Sequence, residues 1–283
     1  MIDPSTLRSR SLQEWKFLNS GFHSGVHNMY LDQFLAKEMV ETSRAPTLRV
    51  YGWNPHAISI GYNQRRHDLD ETKCRMQGID VVRRPTGGRA ILHADELTYC
   101  VVMHSAGKSI SQMYCDISKA LVCGLRTLGA DVEYSAVQTD FRHLYRNQNS
   151  IPCFASSARY EIQYRGMKLV GSAQRRYASS AGEDEVVLQH GSILLGPAHK
   201  KLSELVKVER EEVSASILND LELKTIELCS VLGRHVSFEE VAAAIKIGFE
   251  REWNIAFTDN NFDESIRESD FSYDILSNEK VTQ

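Results

Sequence analysis

The sequence predicts an α+β fold, a two-layer α/β arrangement of mixed sheets packed with helices. Short runs rich in aliphatic and β-branched residues recur between glycine, proline and polar clusters. Thr47 to Tyr51, Ala57 to Gly61, Ile79 to Val82, Leu97 to Met103 and Val186 to Leu195 all read as strands. Between them, apolar residues at helical spacing mark amphipathic helices, and from Lys201 onward the chain becomes predominantly helical. No repeat, low-complexity tract or Pro/Gly-rich linker divides the chain. One domain with a helical C-terminal portion is therefore the simplest architecture.

In chain order, residues 1–10 read as a flexible arm. Val26 to Val40 reads as a helix burying Val26, Met29, Tyr30, Phe34 and Leu35. The strands at Thr47 and Ala57 are joined through Trp53-Asn54-Pro55, and Asp68 to Met76 is a short helix that Gly78 stops. Ser109 caps a long helix to Leu128, with Ile110, Met113, Tyr114, Ile117, Leu121, Leu125 and Leu128 as its buried stripe and Gly129 beyond its end. Asp131 to Val137 follows as a strand, and Gln138 to Ile151 as a polar surface loop. Arg159 to Gln174 is a hairpin turning at Arg165-Gly166. Tyr177 to Glu185 reads as a mobile loop. Ser237 and Glu240 form a capping-box pair ahead of Val241, Ile245 and Phe249. We place the domain at residues 1–257 and an acidic C-terminal tail at 258–283.

Hydrophobic residues at 42% and charged residues at 25% are ordinary values for a soluble globular protein. The N-terminus lacks an apolar signal core, and no run approaches the ~18 apolar residues that span a bilayer. The expectation is a cytoplasmic protein with no membrane association. The net charge of −4 hides seven acids from Asp259 onward against Arg267 and Lys280; without them 31 bases face 30 acids. Arginine pairs at 65–66, 83–84 and 175–176 suit an acidic partner protein, but they lack interleaved aromatics, which argues against nucleic acid. None of the six cysteines forms a CxxC pair, and no HExxH or zinc-type spacing occurs. A structural metal or disulfide framework is not expected.

The chain is organised around Arg83-Arg84-Pro85-Thr86-Gly87-Gly88-Arg89-Ala90-Ile91-Leu92-His93, between two predicted strands. Adjacent Gly87 and Gly88 let backbone approach a ligand, and the arginines beside them suit a carbonyl, carboxylate or phosphate. Cys153 sits where the polar loop meets the hairpin, a more accessible place than those of Cys100 or Cys115. Lys168 begins the returning strand, a position usually solvated; beside Cys153 its ammonium would favour thiolate over thiol. The strand it starts continues into Gly171-Ser172-Ala173, small residues past which a ligand can lie. His190, next to Gly191, reads either as a satisfied core histidine or as a cleft residue, and so does His93.

These segments resemble the biotin/lipoate protein ligase superfamily. The loop from Arg83 to His93 with Glu96-Leu97-Thr98-Tyr99 looks like its signature loop. Asn28-Met29-Tyr30-Leu31-Asp32 and Ile58 to Gln64 resemble its first helix and an early pocket strand. Lys168 to Arg176 and Leu188 to Leu194 resemble its lysine and closing strands. The likeness covers roughly residues 12 to 250. Within the superfamily it is nearest to the cysteine-dependent octanoyl transferases of lipoate synthesis, because Cys153 precedes the lysine hairpin and too little chain follows Trp253 for the ligases' accessory domain.

The resemblance implies the superfamily's catalytic-domain fold and transfer of an octanoyl group through a Cys153 thioester. The donor would be acyl carrier protein, and the acceptor a lysine of a lipoyl-domain protein such as glycine cleavage H protein. It implies Cys153 as nucleophile and Lys168 as the residue that lowers its pKa. Arg84, Gly87, Gly88, His93, Gly171, Ser172, Ala173, His190 and Gly191 would form the acyl site, and no cofactor is needed because the acyl group is the substrate. Arg83 and Arg84 would alternatively meet the phosphopantetheine phosphate or acidic partner surfaces. The competing readings are an ATP-dependent lipoate-protein ligase, an amidotransferase moving octanoyl or lipoyl groups between lipoyl-domain proteins, and a non-catalytic binder of lipoylated or acidic domains.

Overall fold

The computed structural model describes residues 12–42, 44–134, 161–178, 184–207 and 211–259. Eleven strands occur among these residues: β1 (Gln13–His23), β2 (Thr47–Trp53), β3 (Ala57–Ile60), β4 (Asp80–Arg83), β5 (Ile91–His93), β6 (Glu96–His104), β7 (Glu133–Tyr134), β8 (Ile162–Tyr164), β9 (Met167–Ala178), β10 (Glu185–Leu194) and β11 (Ile255–Asp259). The principal helices are α1 (Gly25–Glu41), α2 (Glu71–Met76), α3 (Ile110–Thr127), α4 (Leu202–Leu205), α5 (Glu211–Lys224), α6 (Leu228–Leu232) and α7 (Phe238–Trp253).

Eight strands form one sheet in the order β11-β1-β2-β6-β10-β9-β8-β7, and a second sheet has the order β4-β3-β5. Both are mixed. β1 runs parallel to β2 and β11, whereas β2, β6, β10, β9, β8 and β7 pair antiparallel. A parallel neighbour needs a crossover, and α1 supplies it between β1 and β2. Alternate residues of β6 serve opposite faces of the large sheet. Leu97, Tyr99 and Val101 join the core under α3 and α7, while Cys100 and Val102 pack with Met29 and Met39 of α1. α3 and α7 meet backbone to backbone: a Cβ on Gly248 would stand 2.3 Å from the Ala120 carbonyl oxygen.

Several expectations are revised. β1 was not anticipated, and its pairing with β11 carries the domain to Asp259, two residues past the boundary at 257. In α1, Val26 is exposed and Phe34 only half-buried, while Asn28 and Asp32 are fully buried. The reason is Arg49 of β2, which donates to Asp32 Oδ1 at 2.7 Å and to Asn28 Oδ1 at 2.7 Å. The face of α1 set against the sheet thus carries a paired polar patch beside Met29, Ala36 and Met39.

The short helix starts later than expected, at Glu71 with Asp70 capping Lys73 N, after a separate 3-10 turn at Arg66–Asp68. Ser109 forms a full capping box with Gln112, and of the expected stripe Met113, Ile117, Leu121 and Leu125 are buried whereas Ile110, in the first turn, is exposed. Ser237 caps Glu240 N, but the Glu240 carboxylate pairs with Arg234 instead of closing its box. The hairpin turns at Arg165 and Gly166 as expected, both with positive φ. The Gln138–Ile151 loop, part of the 131–137 strand, residues 179–183 of the expected mobile loop, the arm at 1–10 and the tail from 260 lie outside the described residues.

Candidate acyl-binding site

The two sheets and α1 line a partly open cavity. Seven of the expected site residues line it: Arg84, His93, Gly171, Ser172, Ala173, His190 and Gly191. Strand pairing explains the grouping, since His190 lies opposite Ala173, Gly191 opposite Ser172, and Ser192 opposite Gly171. The sequence reading missed Met29, Tyr51, Trp53, Ser59, Ile91, Thr98 and Ser192, which complete the wall. In the sequence Trp53, just ahead of Asn54-Pro55, reads only as part of a connection.

Gly87 and Gly88 are not in the wall. Their loop is fastened from beneath by Arg84, which is buried and donates to the carbonyls of Ser59, Gly87 and Arg89 at 2.7–3.1 Å. Gly88 lies against Gly61, so closely that a Cβ on Gly61 would stand 1.9 Å from the Gly88 carbonyl oxygen.

The arginine pairs prove to be largely internal ties. Arg83 donates to the carbonyls of Gly61, Tyr62 and Gln64, Arg66 pairs with Glu71, Arg175 donates to Pro85 O, and Arg176 pairs with Glu185. Arg84 therefore stabilises the loop, with its guanidinium turned to backbone oxygens.

Two histidines flank the cavity, each backed by a carboxylate. His190 Nδ1 is 2.8 Å from Asp32 Oδ2, and its Nε2 is 2.7 Å from Thr86 Oγ1. A carboxylate only accepts, so Nδ1 carries the proton and Nε2 accepts from Thr86. Burial pushes the His190 pKa down despite Asp32, which keeps the ring neutral. Asp32 also accepts from Tyr51 at 2.8 Å. Burial alone would raise its pKa, but the Arg49 charge and these donors outweigh that and hold it below its ordinary value.

His93 Nδ1 is 2.8 Å from Glu96 Oε1, and its Nε2 is 2.7 Å from Ser59 Oγ. Its ring stacks on Trp53 at 3.9 Å with planes 8° apart. Tyr99, hydrogen-bonded to Ser172 Oγ at 2.7 Å, has its pKa pushed up to about 12 by burial and remains a neutral phenol.

Lys168 is not solvated, contrary to the ordinary expectation for a strand start. It is 1% exposed, and its Nζ lies 2.6 Å from Glu161 Oε1. The segment after α5 covers it, with Ile226 N donating to the Lys168 carbonyl. Cys153 lies outside the described residues. Among the described cysteines, Cys100 is the most clearly inert: burial, with Asp32 adding to it, pushes its thiol pKa well up.

The slot is floored by small strand residues, and Lys168 is buried near the head of one floor strand, on a fold of mixed sheets packed with helices. The chain belongs to the family of the lipoyl protein ligase A/B catalytic domain, whose model matches residues 24–250. It is 36% identical over 247 residues to Octanoyltransferase LipM of Geobacillus kaustophilus, covering 85% of this chain and 87% of that one. It is 33% identical over 249 residues to Octanoyltransferase LipM of Bacillus subtilis, with 86% and 87% covered. The protein is an acyltransferase.

Among solved structures, the bipartite lipoate protein ligase of Thermoplasma acidophilum superposes with a TM-score of 0.71 at 22% identity, over 89% of this chain and 88% of that one. A lipoate-protein ligase A bound with ATP superposes with a TM-score of 0.69 at 24% identity, over 89% and 90%. These two likenesses establish the fold. Among the described residues no helix is long and apolar enough to cross a membrane.

Proposed function

We propose that the protein transfers an octanoyl group from acyl carrier protein to a lysine of a lipoyl-domain protein, such as glycine cleavage H protein. This is a step of lipoate biosynthesis, placed in the cytoplasm. The observation that carries the reading is the likeness to octanoyltransferases along some 85% of the chain. A partly open cavity floored by Gly171, Ser172, Ala173 and Gly191 supports it.

In the proposed reaction the Cys153 thiolate attacks the donor thioester carbonyl. A tetrahedral oxyanion forms, the carrier's pantetheine sulfur leaves, and the enzyme holds an octanoyl thioester. The acceptor amine then attacks that carbonyl, Cys153 sulfur leaves, and an amide is formed as the amine loses its proton. Exchange of one thioester for another is nearly balanced, and formation of the amide drives the sequence forward, so no nucleotide or cofactor is consumed. Lys168 is assigned the stabilisation of the thiolate and of the acyl oxygen, with Glu161 holding its ammonium in place. Gly171, Ser172, Ala173, Gly191, His93 and His190 are assigned to the acyl chain.

The test is incubation of the purified protein with octanoyl-acyl carrier protein and no ATP, followed by intact mass measurement. An octanoyl-sized increase that vanishes in Cys153→Ala supports the reading. An adduct formed only from free acid and ATP points to a ligase, a transfer that accepts only octanoylated or lipoylated protein points to an amidotransferase, and no adduct at all points to a binder.

A further inference from the structure

The slot wall is rich in polar side chains, and on the side formed by Trp53, Ser59, His93, Thr98 and Ser192 their hydrogen bonds form one network centred on the Glu96 carboxylate. The Trp53 indole N–H donates to Thr98 Oγ1 at 2.8 Å, and the Thr98 hydroxyl donates to Glu96 Oε1 at 2.5 Å. The Ser192 hydroxyl donates to that oxygen at 2.7 Å, and His93 Nδ1–H does so at 2.8 Å. The Ser59 hydroxyl turns to the remaining His93 nitrogen at 2.7 Å. Trp53, Ser59, His93, Thr98 and Ser192 line the cavity, whereas Glu96 is buried at 3% exposure and stands outside that lining.

We infer that Glu96 is a specificity-determining positioning residue, which draws the wall's donors away from the slot so that it selects saturated acyl chains over chains carrying an oxygen. This rests on the acyl-transfer reading above. A hydrocarbon chain gives up no hydrogen bond on entering such a slot. A chain with one methylene replaced by an ether oxygen has nearly the same shape but must shed water, and the donors of Trp53, His93, Thr98 and Ser192 are already engaged. Removing Glu96 takes away the common acceptor of three donors. Orphaned inside the protein, those donors gain from an oxygen in the chain.

The test uses S-acyl pantetheine thioesters of octanoate and of its ether isosteres, with the oxygen placed at each inner chain position in turn. The rate of acyl adduct formation is read by intact mass. Wild-type protein is expected to favour octanoyl over every isostere, by on the order of tenfold or more. Glu96→Ala and the near-isosteric Thr98→Val are expected to bring the ratio toward one for at least one oxygen position. Glu96→Gln is expected to restore the wild-type ratio, because its carbonyl keeps the acceptor and its amide nitrogen replaces Oε2, which makes no hydrogen bond.

Ratios in Thr98→Val and folded Glu96→Ala that match wild type overturn the inference, as does a wild-type protein that does not discriminate. If wild-type protein takes up none of the chains, it is the acyl-transfer reading that falls, and this inference falls with it.

Discussion

Lys168 Nζ and Glu161 Oε1 lie 2.6 Å apart with both side chains almost wholly buried. Two charges removed from water depend on each other, and losing one partner costs more than losing both. We therefore expect Lys168→Met and Glu161→Gln to be strongly non-additive, with a coupling of about 1–3 kcal/mol in a double-mutant cycle measured by urea unfolding. Additive effects would show that the pair is energetically idle.

In the proposed reaction the same lysine is assigned to the thiolate. Lys168→Ala should raise the pH at which Cys153 reacts with an alkylating agent, since a nearby ammonium favours the charged sulfur. A pH profile of alkylation that is the same in both proteins would remove that role.

Asp32 lies 2.7 Å from Arg49, and neither side chain is exposed. Asp32→Asn leaves the guanidinium buried without its counter-charge and weakens the bond that orients His190. A loss of about 3–5 kcal/mol is expected by chemical denaturation. Arg49→Met placed in the Asp32→Asn background should cost less than it does alone.

Acid should unfold the protein partly through its histidines. The pKa of His27 is lowered from 6.5 to about 4, chiefly by burial and then by the charges of His23 and Arg49, and burial lowers His190 in the same direction. A depressed folded-state value means that below 6.5 the unfolded chain binds protons which the native chain does not. This contribution is therefore complete above 6.5 and is lost as the pH falls toward about 4. Urea midpoints on either side of that window should differ, and His27→Gln should shrink the difference. A pH-independent gap between wild type and His27→Gln would refute the assignment.

Neighbouring glycine positions should respond oppositely to alanine. At Gly61 the new Cβ meets the Gly88 carbonyl oxygen at 1.9 Å, which is backbone and cannot rotate aside, whereas at Gly87 nothing lies within 4 Å. Gly61→Ala should lose at least about 2 kcal/mol, and Gly87→Ala should change stability by no more than about 0.5 kcal/mol. Thermal melts of the two variants give the comparison.

By itself, the sequence determined the elements whose causes are local. Ser109 and the stripe from Met113 to Leu125 specify α3, and Arg165-Gly166 specifies the hairpin turn, because caps, helical faces and tight turns involve residues only a few positions apart. It also brought together most of one cavity wall, since Gly171 to Ala173 and His190 to Gly191 lie on strands that each read clearly as strands. Tertiary structure alone decided which polar residues go inside. Asp32 and His190 are 158 positions apart, and Ser192 and Glu96 are 96 apart. β11 completes the sheet edge against β1 from the far end of the domain. Periodicity reports whether a side chain is apolar; it does not report the distant partner that makes burying a polar one affordable. Buried polar groups are stable only when their hydrogen bonds are made, and here those bonds come from strands and helices far removed in the chain.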